Sequence, residues 1–388
     1  MPKTLSIDGF GPLSVHRPAT VADVGTLVKQ QRAAKQGIYP VGGRTQLDFG
    51  LVPTKPGIAL DMTALNKVID YPARDMTITV EAGITLAELQ AVLAKEGQWL
   101  PLDAPHPERS TLGGLVATNT SGPRRLGYGT LRDFVIGISF INDNGDEIKG
   151  GGRVVKNVAG YDLMKLHTGA LGTLGVITQL TLKVRPKPEH ADGLFVTCKP
   201  GQLNTLLNTI HAMSSRPVLS NLCSDRDEGM GVHIAFEEKK TTVQWQYEVA
   251  KKELREASFD DISDHFDPPL TCWGLCGGGL IPTVFIAKIT MKPSQVAEYV
   301  TLQPEFNSIP DESWPWFEAE TQNGIVWFYC QHPVELPKIG HPVIYRAPAA
   351  WKTPERVFGK PTPAFGLMRH IKRTLDPDDV FNPGRMFV

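Results

Sequence analysis

Pro40-Val41-Gly42-Gly43-Arg44-Thr45-Gln46 carries a short apolar strand, Ile38 to Val41, into a glycine pair and then into polar residues. Paired glycines reach backbone conformations barred to other residues and leave no side chain in the way. Successive N–H groups in such a turn form a concave anion site, whose natural guest is a phosphate or diphosphate. An ordinary turn would use the same residues. No Gly-Lys-Ser/Thr follows, so this is not a Walker A loop, and the spacing is not Gly-x-Gly-x-x-Gly. Upstream, Thr20 to Gln36 reads as a helix. Thr20 caps it, Asp23 stands at the capping-box distance, and Val21, Val24, Leu27 and Val28 share one face. Downstream, Ile58 to Leu60, Val68-Ile69 and Thr77 to Glu81 read as strands. Thr85 and Glu88 then open a second helix with Leu86, Leu89, Val92 and Leu93 on one face.

Two further segments are rich in small residues. Ser110 to Gly122 contains Thr111-Leu112-Gly113-Gly114, and a flat ligand can lie against such a backbone; a tight turn between helices is the alternative. Glycines at 169, 172 and 175 lead into a β-branched strand, Val176 to Val184. A dinucleotide-binding Rossmann loop needs the strand before the glycines and a helix after them. Here the order is reversed, which rejects that fold. Phe134 to Ile141 and Glu147 to Gly150 read as a hairpin around Asp143-Asn144-Gly145-Asp146.

Length and composition set the frame. The 388 residues suit two or three domains. Forty Lys and Arg against 41 Asp and Glu give a net charge of −1, so no global field draws the chain to nucleic acid or an anionic membrane. The N-terminus has no apolar signal-peptide core and no apolar run reaches membrane-spanning length. The expectation is a cytoplasmic protein that meets a membrane only through partners. The odd number of cysteines, five, argues against a disulfide scaffold. Cys272 and Cys276 read as small buried residues, and a metal or iron–sulfur site would need more cysteines near them. Beyond Arg185-Pro186-Lys187-Pro188 the texture changes. Strands at 194–197, 232–236, 284–289 and 325–329 and helices at 243–257 and 293–302 form a second α+β region. Trp314-Pro315-Trp316 reads as core or as a docking surface. A helix, Phe365 to Leu375, precedes the tail.

Taken in order, the segments resemble the FAD-binding domain of the vanillyl-alcohol oxidase/PCMH flavoprotein superfamily. The matching elements are Pro-x-Gly-Gly-x-Thr from Pro40, Gly-x-Thr-Leu-x-Glu-Leu from Gly83, Thr-Leu-Gly-Gly from Thr111 and Arg-Asp-x-Val-x-Gly from Arg132. Gly-x-x-Gly-x-x-Gly-Val-Ile-Thr from Gly169 and the terminal Phe381-Asn382-Pro383-Gly384-Arg385 complete the series. The likeness covers roughly residues 15–187 and 362–388. Val155 to Asp162 and the tail from Leu375 to Met386 look most like the small FAD-binding E subunit of bacterial glycolate oxidases.

The resemblance implies an α+β, PCMH-type FAD-binding domain of two subdomains at 1–187, a smaller α+β cap at 188–355, and a segment at 356–388 returning to the FAD domain. It implies that Gly42, Gly43, Arg44, Thr45 and Gln46 wrap the FAD diphosphate, and that Thr111, Gly113, Gly114, Thr118 and Gly122 line the flavin and ribityl chain. Gly172, Gly175 and Ile177 would lie along the cofactor, Ile177 towards the adenine. Asn382 and Arg385 would approach the isoalloxazine, Arg385 to stabilise the reduced flavin; a solvated tail cation is the alternative for Arg385. Arg44 stands where relatives carry a small residue, so its side chain would meet solvent or a phosphate. Thr45 and Gln46 occupy positions where relatives with covalent flavin carry a histidine, so the FAD is expected to be non-covalent. No His-rich metal motif is present. Oxidation of a hydroxy acid needs a base and a cation for the carboxylate, and Arg346 is the one cation the sequence singles out. The implied activity is oxidation of a 2-hydroxy acid, glycolate to glyoxylate, within a complex with a larger FAD-linked glycolate oxidase subunit and an iron–sulfur subunit. A self-sufficient dehydrogenase and a non-catalytic FAD-binding scaffold are the alternatives.

Overall fold

The computed structural model describes residues 3–152, 160–225, 229–263, 283–301 and 316–387. The Val155–Ala159 part of the motif at 155–162, Cys272 and Cys276, and Trp314-Pro315 lie outside the described residues. The chain divides into two compact units. The first contains Met1–Ser121, Thr130–Lys187 and Ala349–Val388; the second contains Gly122–Gly129 and Pro188–Pro348. The eight residues from Gly122 to Gly129 thus leave the stretch read from sequence as one domain.

The first unit holds two sheets. One comprises β1 (Thr4–Ile7), β2 (Phe10–His16), β3 (Gly37–Val41) and β4 (Gly57–Asp61) in the order β1-β2-β4-β3. Its β2/β4 and β3/β4 pairs are parallel. Parallel neighbours need a crossover, and helix α1 (Val21–Ala33) supplies it between β2 and β3. The Thr20/Asp23 capping box starts α1 as the sequence predicts. Val24 and Val28 of α1 enter a core with Ile38, Leu60, Ile141, Val176 and Phe381. The second sheet comprises β5 (Val68–Asp70), β6 (Thr77–Glu81), β8 (Val135–Ile141), β9 (Glu147–Gly151) and β10 (Val176–Lys183), ordered β5-β6-β10-β8-β9 and antiparallel throughout. A short ribbon pairs β7 (Gln98–Trp99) with β11 (Arg185–Pro186). Helix α2 (Leu86–Ala94) starts on the Thr85/Glu88 capping box, and α3 (Leu112–Thr118) starts on Thr111.

The second unit is built on an eight-stranded antiparallel sheet ordered β15-β12-β14-β13-β17-β18-β16-β19. Its strands are β12 (His190–Cys198), β13 (Leu219–Asp225), β14 (Gly229–Glu238), β15 (Ile262–Ser263), β16 (Phe285–Thr290), β17 (Trp316–Glu320), β18 (Ile325–Cys330) and β19 (His341–Arg346). Helices Leu203–Ala212 and Lys240–Glu256 accompany them. The expected helix at 293–302 begins as a 3-10 turn, Pro293–Gln295, and continues as Val296–Thr301. Among the described residues no helix is long and apolar enough to cross a membrane.

Candidate functional site

A cavity open at its mouth lies within the first unit. Three walls come from the segments singled out above. The loop after β3 supplies Gly42 to Leu47. Helix α3 supplies Gly113, Gly114 and Thr118, and the turn before β10 supplies Leu171, Gly172 and Gly175. The glycines are there because the walls approach so closely. A Cβ on Gly42 would stand 2.0 Å from Thr111 Oγ1, and one on Gly43 would stand 1.7 Å from the Arg109 carbonyl oxygen. Arg44 follows at φ 61°, so the chain turns through a left-handed residue directly after the glycine pair. Among the described residues, the N–H groups of Gly43, Arg44, Thr45 and Gln46 donate to no protein acceptor. Four consecutive donors without partners suit an anionic ligand.

The loop's side chains are tied back to the scaffold. Thr45 Oγ1 lies 3.0 Å from Ser110 Oγ. Gln46 Nε2 donates to Thr120 Oγ1 at 2.9 Å, and Thr120 Oγ1 lies 2.7 Å from Thr118 Oγ1. Arg44 lines the cavity with its side chain partly exposed, and its Nη2 lies 3.6 Å from buried Asp61. Asp61 also accepts from the Thr63 N–H and hydroxyl.

The fourth wall comes from the far end of the chain. Phe381 bridges Ile38 in parallel, and the Asn382 N–H donates to the Ile38 carbonyl at 2.8 Å, adding the tail beside β3. Asn382 Nδ2 donates to the Leu171 carbonyl at 2.7 Å. Arg385 lines the cavity, yet it is 5% exposed, which corrects the reading of a solvated tail cation. Its guanidinium donates to the carbonyls of Leu47, Phe49 and Leu51 and to Asp8. It therefore organises the loop rather than offering a free charge. Lys352 shares the same Asp8 carboxylate at 2.8 Å. Burial lowers the Lys352 pKa and Asp8 opposes that shift. Below the tail, buried Lys372 donates to the carbonyls of Thr173 and Phe381 and pairs with Asp376 at 2.5 Å. Asp376 in turn accepts the N–H groups of Val380 and Phe381, both at 2.9 Å.

Of the residues named from sequence, Gly42, Gly43, Arg44, Thr45, Gln46, Thr111, Gly113, Gly114, Thr118, Gly172, Gly175, Ile177, Asn382 and Arg385 line this cavity. Gly122 does not. Asn119 ends α3 in the left-handed conformation, and the chain turns away before Gly122, whose carbonyl accepts the Arg125 N–H. Arg346 lies on β19 of the second unit, where Nη1 donates to the Thr283 carbonyl at 3.3 Å. Asp8, Asp61, Lys352 and Lys372 escaped the sequence reading. Only Asp61, which caps the turn at Thr63, and Lys372, paired i,i+4 with Asp376, have local partners that could have signalled them.

Residues 12–151 match the family described as FAD binding domain. The chain is 38% identical over 174 residues to the mitochondrial cytochrome-dependent D-lactate dehydrogenase of Arabidopsis thaliana, covering 45% of this chain and 30% of that protein. It is 34% identical over 178 residues to the glycolate oxidase subunit GlcD of Bacillus subtilis, covering 46% of this chain and 38% of that one. The chain thus spans about a third of the length of these two relatives. Against the glycolate oxidase subunit GlcE of Escherichia coli the identity is 28% over 340 residues, covering 85% of this chain and 87% of that one. A solved alkyldihydroxyacetonephosphate synthase superposes with a TM-score of 0.69 at 20% identity, over 95% of this chain and 75% of that one. The chain has the two-subdomain, PCMH-type FAD-binding fold with an added β-rich unit, and it binds FAD non-covalently. The cavity fits that cofactor: among the described residues it offers unpartnered amides and glycine walls.

Proposed function

We propose that the chain is the FAD-binding subunit of a 2-hydroxy-acid oxidoreductase complex of the glycolate oxidase type. It would work with a larger FAD-linked subunit and an iron–sulfur subunit. The near end-to-end match to the E. coli glycolate oxidase subunit carries this reading, because it includes the second unit as well as the FAD-binding domain. The dehydrogenase relatives support the broader class, FAD-dependent oxidation of a 2-hydroxy acid to a 2-oxo acid.

In this reading FAD lies in the cavity of the first unit. Bound FAD supplies a two-electron acceptor for the hydrogen leaving the carbon that bears the hydroxyl. The amides of Gly43 to Gln46 hold its diphosphate, and the Gln46–Thr120–Thr118 chain fixes the side of the cavity along α3. Leu47, Phe49, Met62, Leu115 and Leu171 keep water from the remaining walls. Among the described lining residues the ionisable ones are Arg44 and Arg385, and both are engaged by the protein. Neither is placed to take the proton of a hydroxyl. The test is anaerobic mixing of the purified chain with glycolate, D-lactate and D-2-hydroxyglutarate, alone and co-purified with a larger FAD-linked subunit and an iron–sulfur subunit. Bleaching of the flavin only in the assembly is the expected result. Bleaching in the isolated chain would establish a self-sufficient dehydrogenase, and no bleaching in either would remove the hydroxy-acid assignment.

A further inference from the structure

The loop leading out of the glycine pair is wound around two buried cations of the first unit. Arg385 donates to the carbonyls of Leu47 and Phe49, both at 2.5 Å, and to that of Leu51 at 2.6 Å. Lys352 donates to the carbonyl between the first two, that of Asp48, at 2.5 Å. The Gln46 carbonyl accepts the Phe49 N–H at 3.2 Å, so Asp48 sits inside the turn that joins Gln46 to Phe49. The carbonyls of this turn are thus committed to the protein, while the amides just upstream, Gly43 to Gln46, are left for a ligand.

Lys352 is not among the residues that line the cavity. It follows the 3-10 turn Ala349–Trp351 and precedes Thr353, which caps the helix Pro354–Phe358. Its side chain is buried, and its ammonium holds Asp8 Oδ2 at 2.8 Å besides the Asp48 carbonyl. Asp8 lies in the turn between β1 and β2, at φ 51° and followed by Gly9 at φ 79°, and the same Oδ2 accepts from Arg385 at 3.0 Å. The charged and titratable groups facing the two cations are Asp8, Asp48 and Tyr39. Burial holds the Lys352 pKa below its ordinary 10.5; Arg385 acts in the same direction, Asp8 and Asp48 against it. Burial pushes Tyr39 up to about 12, and an arginine keeps its proton throughout this range. Lys352 is therefore the cation of the cluster that can lose its charge below pH 10.5. A binding loop whose supporting contacts are missing is present but loosely placed, and it binds weakly.

We propose that Lys352 is a positioning residue for the cofactor's diphosphate: clamped by Asp8, its ammonium fixes the Asp48 peptide and, through the Gln46–Phe49 turn, the free amides of Gly43 to Gln46. The proposal rests on the reading that these amides hold the diphosphate, and it adds a residue that acts from behind the cavity wall. A bound anion favours the protonated form of Lys352. Affinity is therefore complete below the Lys352 pKa of the free chain and is lost as the pH rises through it. A brace without a titrating charge would give no such dependence.

The test is calorimetric titration of the full chain, stripped of flavin, with ADP between pH 7.5 and 10.5. ADP carries the same diphosphate, and its phosphates have finished titrating below this range. At pH 7.5 Lys352→Met should bind ADP at least about tenfold more weakly than wild type. Wild-type affinity should fall towards that of Lys352→Met as the pH rises from 8 to 10.5, and the variant's should stay level. Lys352→Arg, whose charge does not titrate, should also show no fall. Wild-type affinity in Lys352→Met, a level wild-type profile, or the same fall in either variant overturns the proposal. Arg385 remains as the cation of Asp8 in Lys352→Met, so the fold should persist; if circular dichroism shows that variant unfolded, the Lys352→Arg profile decides. Gly43→Ala separates the proposal from the reading beneath it. ADP binding lost in Gly43→Ala but intact in Lys352→Met sinks the proposal alone. Wild-type binding in Gly43→Ala, or none in the wild-type chain, removes the diphosphate loop and the proposal with it.

Discussion

At Gly43 a single methyl group decides whether the loop can close, since its Cβ would stand 1.7 Å from the Arg109 carbonyl. Gly43→Ala should cost about 1–3 kcal/mol of local strain and lower FAD affinity about 10- to 100-fold. Flavin absorbance retained after desalting is the readout, and wild-type retention would count against this loop as the diphosphate site. His167 is a second residue with a measurable consequence. It is 1% exposed, its Nε2 is buried with no partner among the described residues, and its ring lies 4.0 Å from that of Phe140. Burial pushes its pKa down from 6.5 to about 4. The unfolded chain therefore binds a proton at higher pH than the folded chain. Stability is unaffected above about pH 6.5 and falls as the pH drops towards 4, by up to about 3 kcal/mol. His167→Phe should flatten that decline in denaturant titrations at pH 7, 5.5 and 4.5, and an identical pH profile would refute the assignment. The glycines were legible because their spacing is itself the signal. Arg385 was visible in its motif but not in its role, because its acceptors are carbonyls at 47, 49 and 51, and a backbone carbonyl leaves no mark on a sequence.

Among the elements, α1 and α2 were readable to within a few residues, because a capping box and an apolar stripe agree in each. Strands β13 and β17 were not read as strands. Leu219-Ser220-Asn221-Leu222-Cys223 and Phe317-Glu318-Ala319-Glu320 place Ser220, Asn221, Glu318 and Glu320 in buried positions, so the alternation of apolar and polar residues is lost. Hydrogen bonds such as Asn221 to Glu318 and Ser220 to Thr321 offset that burial, and they join strands about 100 residues apart. The helix Pro363–Leu375 shows the same separation between pattern and purpose. Its Lys372 points inward, holding the Thr173 and Phe381 carbonyls and Asp376. Lys372→Met leaves the Asp376 carboxylate buried without its cation, and should cost about 3–5 kcal/mol. The expected result is a lower melting temperature together with faster loss of flavin. A normal melting temperature would mean that Asp376 is held well enough by the backbone alone.

Over the whole molecule, the first unit owes its cavity to three stretches far apart in the chain: residues 40–47, 111–118 and 171–177, closed by Asn382 and Arg385. A chain ending at residue 361 should keep most of its two sheets, since β1 to β11 all precede that point. It should retain no FAD after desalting, and retention would show the tail to be dispensable. Far-UV circular dichroism distinguishes this outcome from global unfolding. The order of these parts also bears on biosynthesis. The loop at Gly42-Gly43 is made more than 300 residues before the strand-like partner that Asn382 brings to Ile38. A growing polypeptide thus carries a half-built cradle through the synthesis of all those intervening residues. Cofactor loading is then expected only after residue 382 has emerged, and a ribosome stalled between the loop and that residue should leave a product that is both flavin-free and colourless.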